Sequence, residues 1–316
     1  MGLGIQKGQK YGGLAESPNW ARARRDRFLR IDTDFGDIED LTPRQPCHST
    51  AEMSSGQWNW KPYEDAISRG AQALRQVDRL INWGGDHGVG LATVSAFLQN
   101  HPDGFVLWVD AHADLNTPEA SLTGHFHGMP VSFLLGLNAA ESCPQGLGRL
   151  PADRLIYLGL RDLDPFEEKL IQKLGVLNFP MQTVRKRGLA WVLTQIQRHV
   201  GRQALHVSWD IDGMDPLIAA ATGVPSPGGF SSSEGVQISR ALAQMSVRSV
   251  DMVEVNPALG SLAEQEATFE LAFQLLIPFT QAVVARPRLN AEESRGWWND
   301  QKGQTDITSE KRTSNR

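Results

Sequence analysis

Acids and histidines recur in four short clusters along this chain. Gly84-Gly85-Asp86-His87, Asp110-Ala111-His112-Ala113-Asp114, Asp210-Ile211-Asp212-Gly213-Met214-Asp215 and Glu254-Val255-Asn256-Pro257 each sit at the end of an apolar run of strand length. If the clusters converge, Asp110, Asp114, Asp210 and Asp212 repel one another strongly unless positive charge neutralises them. No basic residue stands near them in the sequence to do so. Two divalent cations would balance four carboxylates, and His87 and His112 add two imidazoles. An oxygen-rich set with some nitrogen suits Mn(II), with Fe(II), Co(II) and Ni(II) as competitors; zinc sites more often rest on three or four His and Cys ligands. Two such ions ~3.5–4 Å apart would hold a bridging water and lower its pKa towards neutrality, which is the design of a hydrolase. A lone Asp after a strand is ordinarily a cap or turn residue. Asp86 and Asp215 are read that way, Asp86 equally as support for a ligand histidine. For the six candidates taken together, the metal reading outweighs the cap reading.

Such clusters need a frame that brings them together. Apolar runs at residues 80–83, 105–109, 155–160, 205–209 and 250–255 read as buried strands. Between them lie helical patterns, with Ile67, Gly70, Ala71, Leu74 and Val77 at helical spacing and further helices expected at about 89–98 and 128–137. Strands separated by helices imply right-handed crossovers and an α/β fold, a parallel sheet covered on both faces. In such sheets ligands bind beyond the carboxyl ends of the strands, where all four clusters fall. One catalytic domain is expected over residues 1–285. Residues 36–57 are polar, contain Pro and read as a surface loop. Residues 286–316 read as a polar tail, partly disordered, in which Trp297 and Trp298 are expected to dock on the same subunit or a neighbour.

Composition excludes several classes. The chain has 316 residues, 41% hydrophobic and 21% charged, enough for a sizeable core. A net charge of -5 offers no basic excess for a phosphate backbone, so no nucleic-acid partner is expected. Cys47 and Cys143 build neither a disulfide framework nor a thiolate zinc site; one bridge between them is the alternative to the expected buried free thiols of a reducing cytosol. No stretch approaches the ~18 uninterrupted apolar residues of a membrane span and the start lacks a signal-peptide core, so a cytoplasmic location without membrane contact is expected.

The motifs GGDH (84–87), DAHAD (110–114), SWDIDGMDP (208–216) and EVNP (254–257) resemble those of the ureohydrolase family, the manganese enzymes that include arginase and agmatinase. The resemblance runs from Lys7-Gly8-Gln9 and Gly12-Gly13 to about residue 277. VDAHADLNTPEAS (109–121), HGMPVSFLL (127–135), LGLRDLDP (158–165) and VEVNPALG (253–260) look like arginase in particular. The resemblance implies a doubly wound, three-layer arginase-like fold and two Mn(II) per chain, with Co, Ni or Fe as substitutes. One ion would be held by His87, Asp110, Asp114 and Asp210, the other by Asp110, His112, Asp210 and Asp212. It further implies cleavage of L-arginine to L-ornithine and urea by a hydroxide bridging the two ions. Asp114 would accept a hydrogen bond from that hydroxide, Glu254 would hold the guanidinium, and His127 would pass a proton to the leaving amine.

For the rest of the substrate, the resemblance assigns Asn116 and Thr123 to the α-carboxylate and Asp164 to the α-amino group. Ser231 matches a further active-site hydroxyl, but with Glu234 it also forms an S-x-x-E capping box, read as its main task. Trp83, Trp108 and Trp209 are assigned to the core. A homo-oligomer, trimer or hexamer, is implied. Two residues depart from the family pattern. Gly88 stands where the family usually has Ser, and His125 stands where arginases usually carry Asn. His125 leaves another guanidino substrate open, agmatine or a guanidino acid. A catalytically inactive homologue is disfavoured by the complete ligand set, and a dinuclear phosphoesterase lacks its expected Arg and Lys clamp.

Overall fold

Apolar runs of five or six residues, too short for helices, are the raw material of the sheet. The structure is a computed structural model that describes residues 1–6, 11–24, 26, 34, 36–39, 61–140 and 143–280. Strands β1 (Gly2–Gly4), β2 (Asp37–Glu39), β3 (Leu80–Gly84), β4 (Phe105–Val109), β5 (Leu155–Leu158), β6 (Leu177–Phe179), β7 (Leu205–Asp210) and β8 (Val247–Val253) form one sheet in the order β2-β1-β3-β8-β7-β4-β5-β6. Every ladder in it is parallel. The described helices are α1 (Ser17–Arg24), α2 (Lys61–Leu74), α3 (Gly90–Asn100), α4 (Pro130–Leu134), α5 (Pro165–Leu174), α6 (Met181–Arg187), α7 (Leu189–Val200), α8 (Ser232–Ala243) and α9 (Leu262–Thr280).

Side chains alternate across a strand, and here the alternation sorts them into two cores. Phe105, Leu107 and Val109 of β4 join Ile196 of α7, Ile238 of α8 and Phe269 of α9 on one face. Val106 and Trp108 join Ile67 of α2 and Val94 and Phe97 of α3 on the other. Burial on both faces is why β4 reads as an unbroken apolar run. The three-layer α/β arrangement expected from the sequence is therefore present. Among the described residues no helix is long and apolar enough to cross a membrane.

Several boundaries differ from expectation. Asp37–Glu39 lie within the expected surface loop yet form the edge strand β2, paired with β1. The helix expected at 128–137 shrinks to five residues because Gly136, at φ 71°, ends it. β8 begins at Val247 and ends at Val253, which leaves Glu254 beyond the strand. Strands β1 and β6, three residues each, are too short to show a period. Lys7-Gly8-Gln9, residues 40–57 with Cys47, and the expected tail with Trp297 and Trp298 lie outside the described residues. Cys143 is half-buried, and its thiol donates to the Ala139 carbonyl at 3.3 Å.

The order β3-β8-β7-β4 at the sheet centre is what the chemistry needs. It puts the carboxyl ends of all four motif-bearing strands side by side, although β3 and β4 are consecutive in the chain. The main chain leaving β1 also passes here. A Cβ at Gly85 would meet the Ile5 carbonyl oxygen at 1.6 Å, so only glycine fits at this crossing.

Candidate metal centre

One local device recurs at three of the strand ends. Asp110 accepts the N–H of His112 at 2.7 Å, Asp210 that of Asp212 at 2.8 Å, and Asp86 that of Gly88 at 2.9 Å. A carboxylate bonded to the N–H two residues on closes an Asx turn. The turn holds residue i and residue i+2 at the same lip of the sheet, and it accounts for the D-x-H and D-x-D spacing. Asp86 closes such a turn, and Asp215 likewise caps one through the N–H groups of Leu217 and Gly228.

Tertiary structure then closes the site. His87 Nδ1 lies 2.9 Å from Asp110, 3.1 Å from Asp114 and 3.2 Å from Asp210. His112 Nδ1 lies 3.1 Å from Asp212 and 3.4 Å from Asp110. Two groups able to hold a cation result, His87–Asp110–Asp114 and Asp110–His112–Asp212, with Asp110 common to both. Asp210 joins the first through its approach to His87. The four aspartates and His87 are buried and His112 is half-buried.

The electrostatics fit cations. His87 Nδ1 and Asp114 Oδ2 are buried with no aligned hydrogen-bond partner. Burial pushes the Asp210 carboxyl well up, and Asp212 and Asp110 push it further. Burial and Asp110 raise Asp212 to about 6, and the same two causes raise Asp114. Burial works against charge on His87 and His112, yet the surrounding carboxylates outweigh it and hold both well above the usual histidine range. The cluster attracts positive charge, and oxygens mixed with imidazole nitrogens suit divalent transition metals.

Asp114 and Glu254 are the non-glycine residues with positive φ among those described, at 50° and 62°. This region is costly for residues with a Cβ and persists where surroundings impose it. The Asp114 carbonyl accepts the Val131 N–H at the start of α4, and the Glu254 N–H donates to the Gly85 carbonyl. Glu254 Oε1 accepts the His87 N–H at 2.9 Å and meets His127 Nδ1 at 3.1 Å. His127 sits in the 3-10 turn Phe126–Gly128 that leads into α4. Burial opposes its charge, but the Glu254 carboxylate outweighs burial and raises it to about 8.

The expected substrate residues divide. Asn116 Nδ2 donates to Asp164 at 2.9 Å, so these two are brought together. Asp164 also caps α5 in a capping box with Glu167. Thr123 is exposed and accepts the His125 N–H. The half-buried His125 ring lies 5.8 Å from that of His127, centroid to centroid. Ser231 is exposed, caps α8 and engages Glu234 in the capping box read from the sequence. At Gly88, a Cβ would meet Asp86 Oδ1 at 2.7 Å and the Phe126 ring at 2.8 Å. Phe126 therefore occupies the space that the usual Ser side chain would need.

Four residues escaped the sequence reading. Trp108, assigned to the core, donates from its indole to Asp110 at 3.0 Å and stacks on His87 with centroids 3.9 Å apart. Ser208 meets His87 Nε2 at 2.9 Å. Each stands two residues before a candidate ligand aspartate, a period-2 signal that could have flagged both. Glu167 is buried and accepts the N–H of Leu115, next to Asp114. Arg161 supplies the positive charge that seemed absent. It approaches no carboxylate oxygen but donates to the carbonyls of Asp212 at 2.6 Å and Ser226 at 2.7 Å, which holds the turn carrying Asp212. No local pattern announces that contact.

Known proteins resemble this chain in sequence and in fold. The model of the arginase family matches residues 15–280. The hepatic arginase of Aquarana catesbeiana is 34% identical over 294 residues, covering 88% of this chain and 90% of that one. Arginase-1 of Sus scrofa is 34% identical over 285 residues, covering 84% and 86%. Among solved structures, Entamoeba histolytica arginase in complex with L-ornithine aligns with a TM-score of 0.76 at 26% identity, covering 88% of this chain and 95% of that one.

Proposed function

This chain belongs to the arginase family, and from that premise we propose that it hydrolyses L-arginine to L-ornithine and urea with two Mn(II) ions per chain. The observation that carries the reading is the pair of cation-holding groups sharing Asp110, with the Glu254–His127 pair bonded to the main chain of His87. His87, Asp110, Asp114 and Asp210 would hold one ion, and Asp110, His112, Asp210 and Asp212 the other. Bound there, the ions would lower the pKa of a water towards neutrality so that it can act as nucleophile.

The protein's own groups do the rest. Asp114 accepts a hydrogen bond from the attacking water and aims it at the guanidinium carbon. Its positive φ turns the carboxylate to the site while its carbonyl caps α4. Glu254 offers carboxylate charge to the guanidinium, and its bond to the His87 N–H fixes where that charge sits. His127, held protonated by Glu254, gives its proton to the departing amine. Asn116, Asp164, Thr123, His125 and Ser231 are assigned to the amino-acid end of the substrate, Asn116 and Asp164 as a bonded pair. The catalytic unit spans residues 1–285 and works as a cytoplasmic homo-oligomer.

A second reading rests on His125, which replaces the Asn usual in arginases. It is a ureohydrolase acting on agmatine or a guanidino acid. Urea release by the Mn(II)-loaded protein, measured across L-arginine, agmatine and guanidino acids, separates the two. L-Arginine turning over fastest supports the first reading, and a faster guanidine without an α-carboxylate refutes it. Elemental analysis showing one metal or none per chain would refute the two-ion site.

A further inference from the structure

One row of side chains crosses the sheet just beneath the site. In register, Asn82 of β3 faces Asp251 of β8, Asp251 faces Ser208 of β7, and Ser208 faces Trp108 of β4. All four are buried. Asp251 lies within an apolar run, and nothing in the catalytic reading uses it. Yet its carboxylate gathers four donors. Asn82 Nδ2 donates to Oδ1 at 2.8 Å, while Thr93 Oγ1, His206 Nε2 at 3.0 Å and Ser208 Oγ at 3.3 Å converge on Oδ2.

We infer that Asp251 is a positioning residue for the metal centre, acting through the Ser208 hydroxyl to dictate which nitrogen of His87 faces the cations. A buried carboxylate with four donors on it is an acceptor only. Despite burial, His206 and the hydrogen bonds hold its pKa below the usual range, so it stays ionised. Ser208 has one proton and two neighbours, Asp251 Oδ2 at 3.3 Å and His87 Nε2 at 2.9 Å; the ionised carboxylate can only accept while the imidazole can also donate, so the proton goes to Asp251. The hydroxyl can then only accept from His87 Nε2, 2.9 Å away. Nε2 must carry hydrogen, and Nδ1 is the nitrogen left to face Asp110, Asp114 and Asp210, where a cation takes the place of its proton. A histidine ligand whose other nitrogen is fixed by an outer partner binds metal more tightly. The stacked Trp108 ring fixes the plane of the imidazole and the relay fixes its protonation, so orientation and tautomer have separate causes.

The inference rests on His87 being a metal ligand, so the test has one readout with metal and one without. On the full-length chain, Mn(II) binding is titrated by electron paramagnetic resonance, counting free ion, for wild type, Ser208→Ala, Asp251→Ala and the double variant. Each single change weakens one of the two Mn(II) sites by ~10–100-fold. The double variant is no weaker than the weaker single, because Asp251 acts through Ser208. Asp251→Asn restores near-wild-type affinity: its amide oxygen, in the place of Oδ2, takes Thr93, His206 and Ser208, and the Asn82 amide turns over so that its Oδ1, which has no hydrogen-bond partner, accepts from the new NH2. In the metal-free protein, proton NMR shows a slowly exchanging His87 Nε2–H in wild type that is lost in Ser208→Ala. Independent, multiplying losses in the double variant overturn the relay. Wild-type Mn(II) affinity and proton protection in Ser208→Ala also overturn it, and this variant carries the test if Asp251→Ala does not fold. Wild type that binds no Mn(II) refutes the metal-centre reading instead, and the Nε2–H readout still tests the relay.

Discussion

Replacing Glu254 by Gln should move the pH limit of catalysis rather than merely lower the rate. Glu254 Oε1 lies 3.1 Å from His127 Nδ1, and that carboxylate is what overcomes burial and raises the imidazole from 6.5 to about 8. A shift of ~1.5 units corresponds to about 2 kcal/mol of preference for the charged ring. In the proposed role His127 acts as an acid, so its contribution is present below its pKa and lost as pH rises through it. At pH ~7.5 a group titrating at about 8 is roughly 76% protonated, and one at 6.5 roughly 9%, an ~8-fold loss of the acid form. The alkaline limb of kcat for urea release should therefore fall from near 8 towards 6.5 in Glu254→Gln. Losing the guanidinium contact lowers kcat at every pH, so the position of the limb, not its height, reports on His127. His127→Asn should abolish the limb and lower kcat by ~10²–10⁴-fold while both metals stay bound. A Glu254→Gln limb at the wild-type position would refute the pairing, and loss of metal from His127→Asn would refute its assignment as a non-ligand.

Further outcomes are expected elsewhere in the site. Asp114→Asn keeps the backbone, because Asn tolerates φ near 50°, but removes charge; metal analysis should show one ion weakened and kcat sharply reduced, and a full complement with wild-type kcat would count against the role. With His125 beside the substrate carboxylate, KM for L-arginine should rise with pH through the histidine range, KM for agmatine should not, and His125→Asn should remove the difference; identical arginine profiles in the two proteins would mean no contact. Glu167 is raised from 4.5 to about 7, chiefly by burial and then by nearby Asp114 and Asp164 against two backbone N–H bonds. Its neutral form favours the fold, so the stability it lends is full below ~4.5 and lost as pH passes about 7. Metal-free Glu167→Gln should melt like wild type at pH ~5 and higher than wild type at pH ~8, and equal melting at both would refute the shift.

How much of this was legible in the sequence varies with the distance over which each contact is made. The candidate ligands were readable because an Asx turn is closed by residues two apart, and because parallel crossovers send every strand's carboxyl end to one edge. The caps at Asp164 and Ser231 differ in that only Ser231 was read as one. Asp164 is expected at the substrate, and the structure adds its capping box with Glu167 at the start of α5. Gly88 and His125 were visible as departures, but Phe126 filling the space at Gly88 was not, because that contact crosses between two turns.

The amino-acid sequence by itself determined the central strands and the chemistry at their ends: alternation set which strand residues face which core, and the D-x-D and D-x-H turns set which carboxylates reach the edge. Those choices are made by backbone hydrogen bonds and side-chain alternation within a few residues. Only the tertiary structure decided that β8 and β7 lie between β3 and β4. That order makes Asn82 and Asp251, 169 residues apart, direct neighbours, and brings Ser208 and Trp108 beneath His87. Within an apolar run a polar residue carries no sign of its partner, because that partner is set by strand order and register. These are fixed by packing whole faces of the sheet against helices, and the support of the site beneath its ligands was settled there.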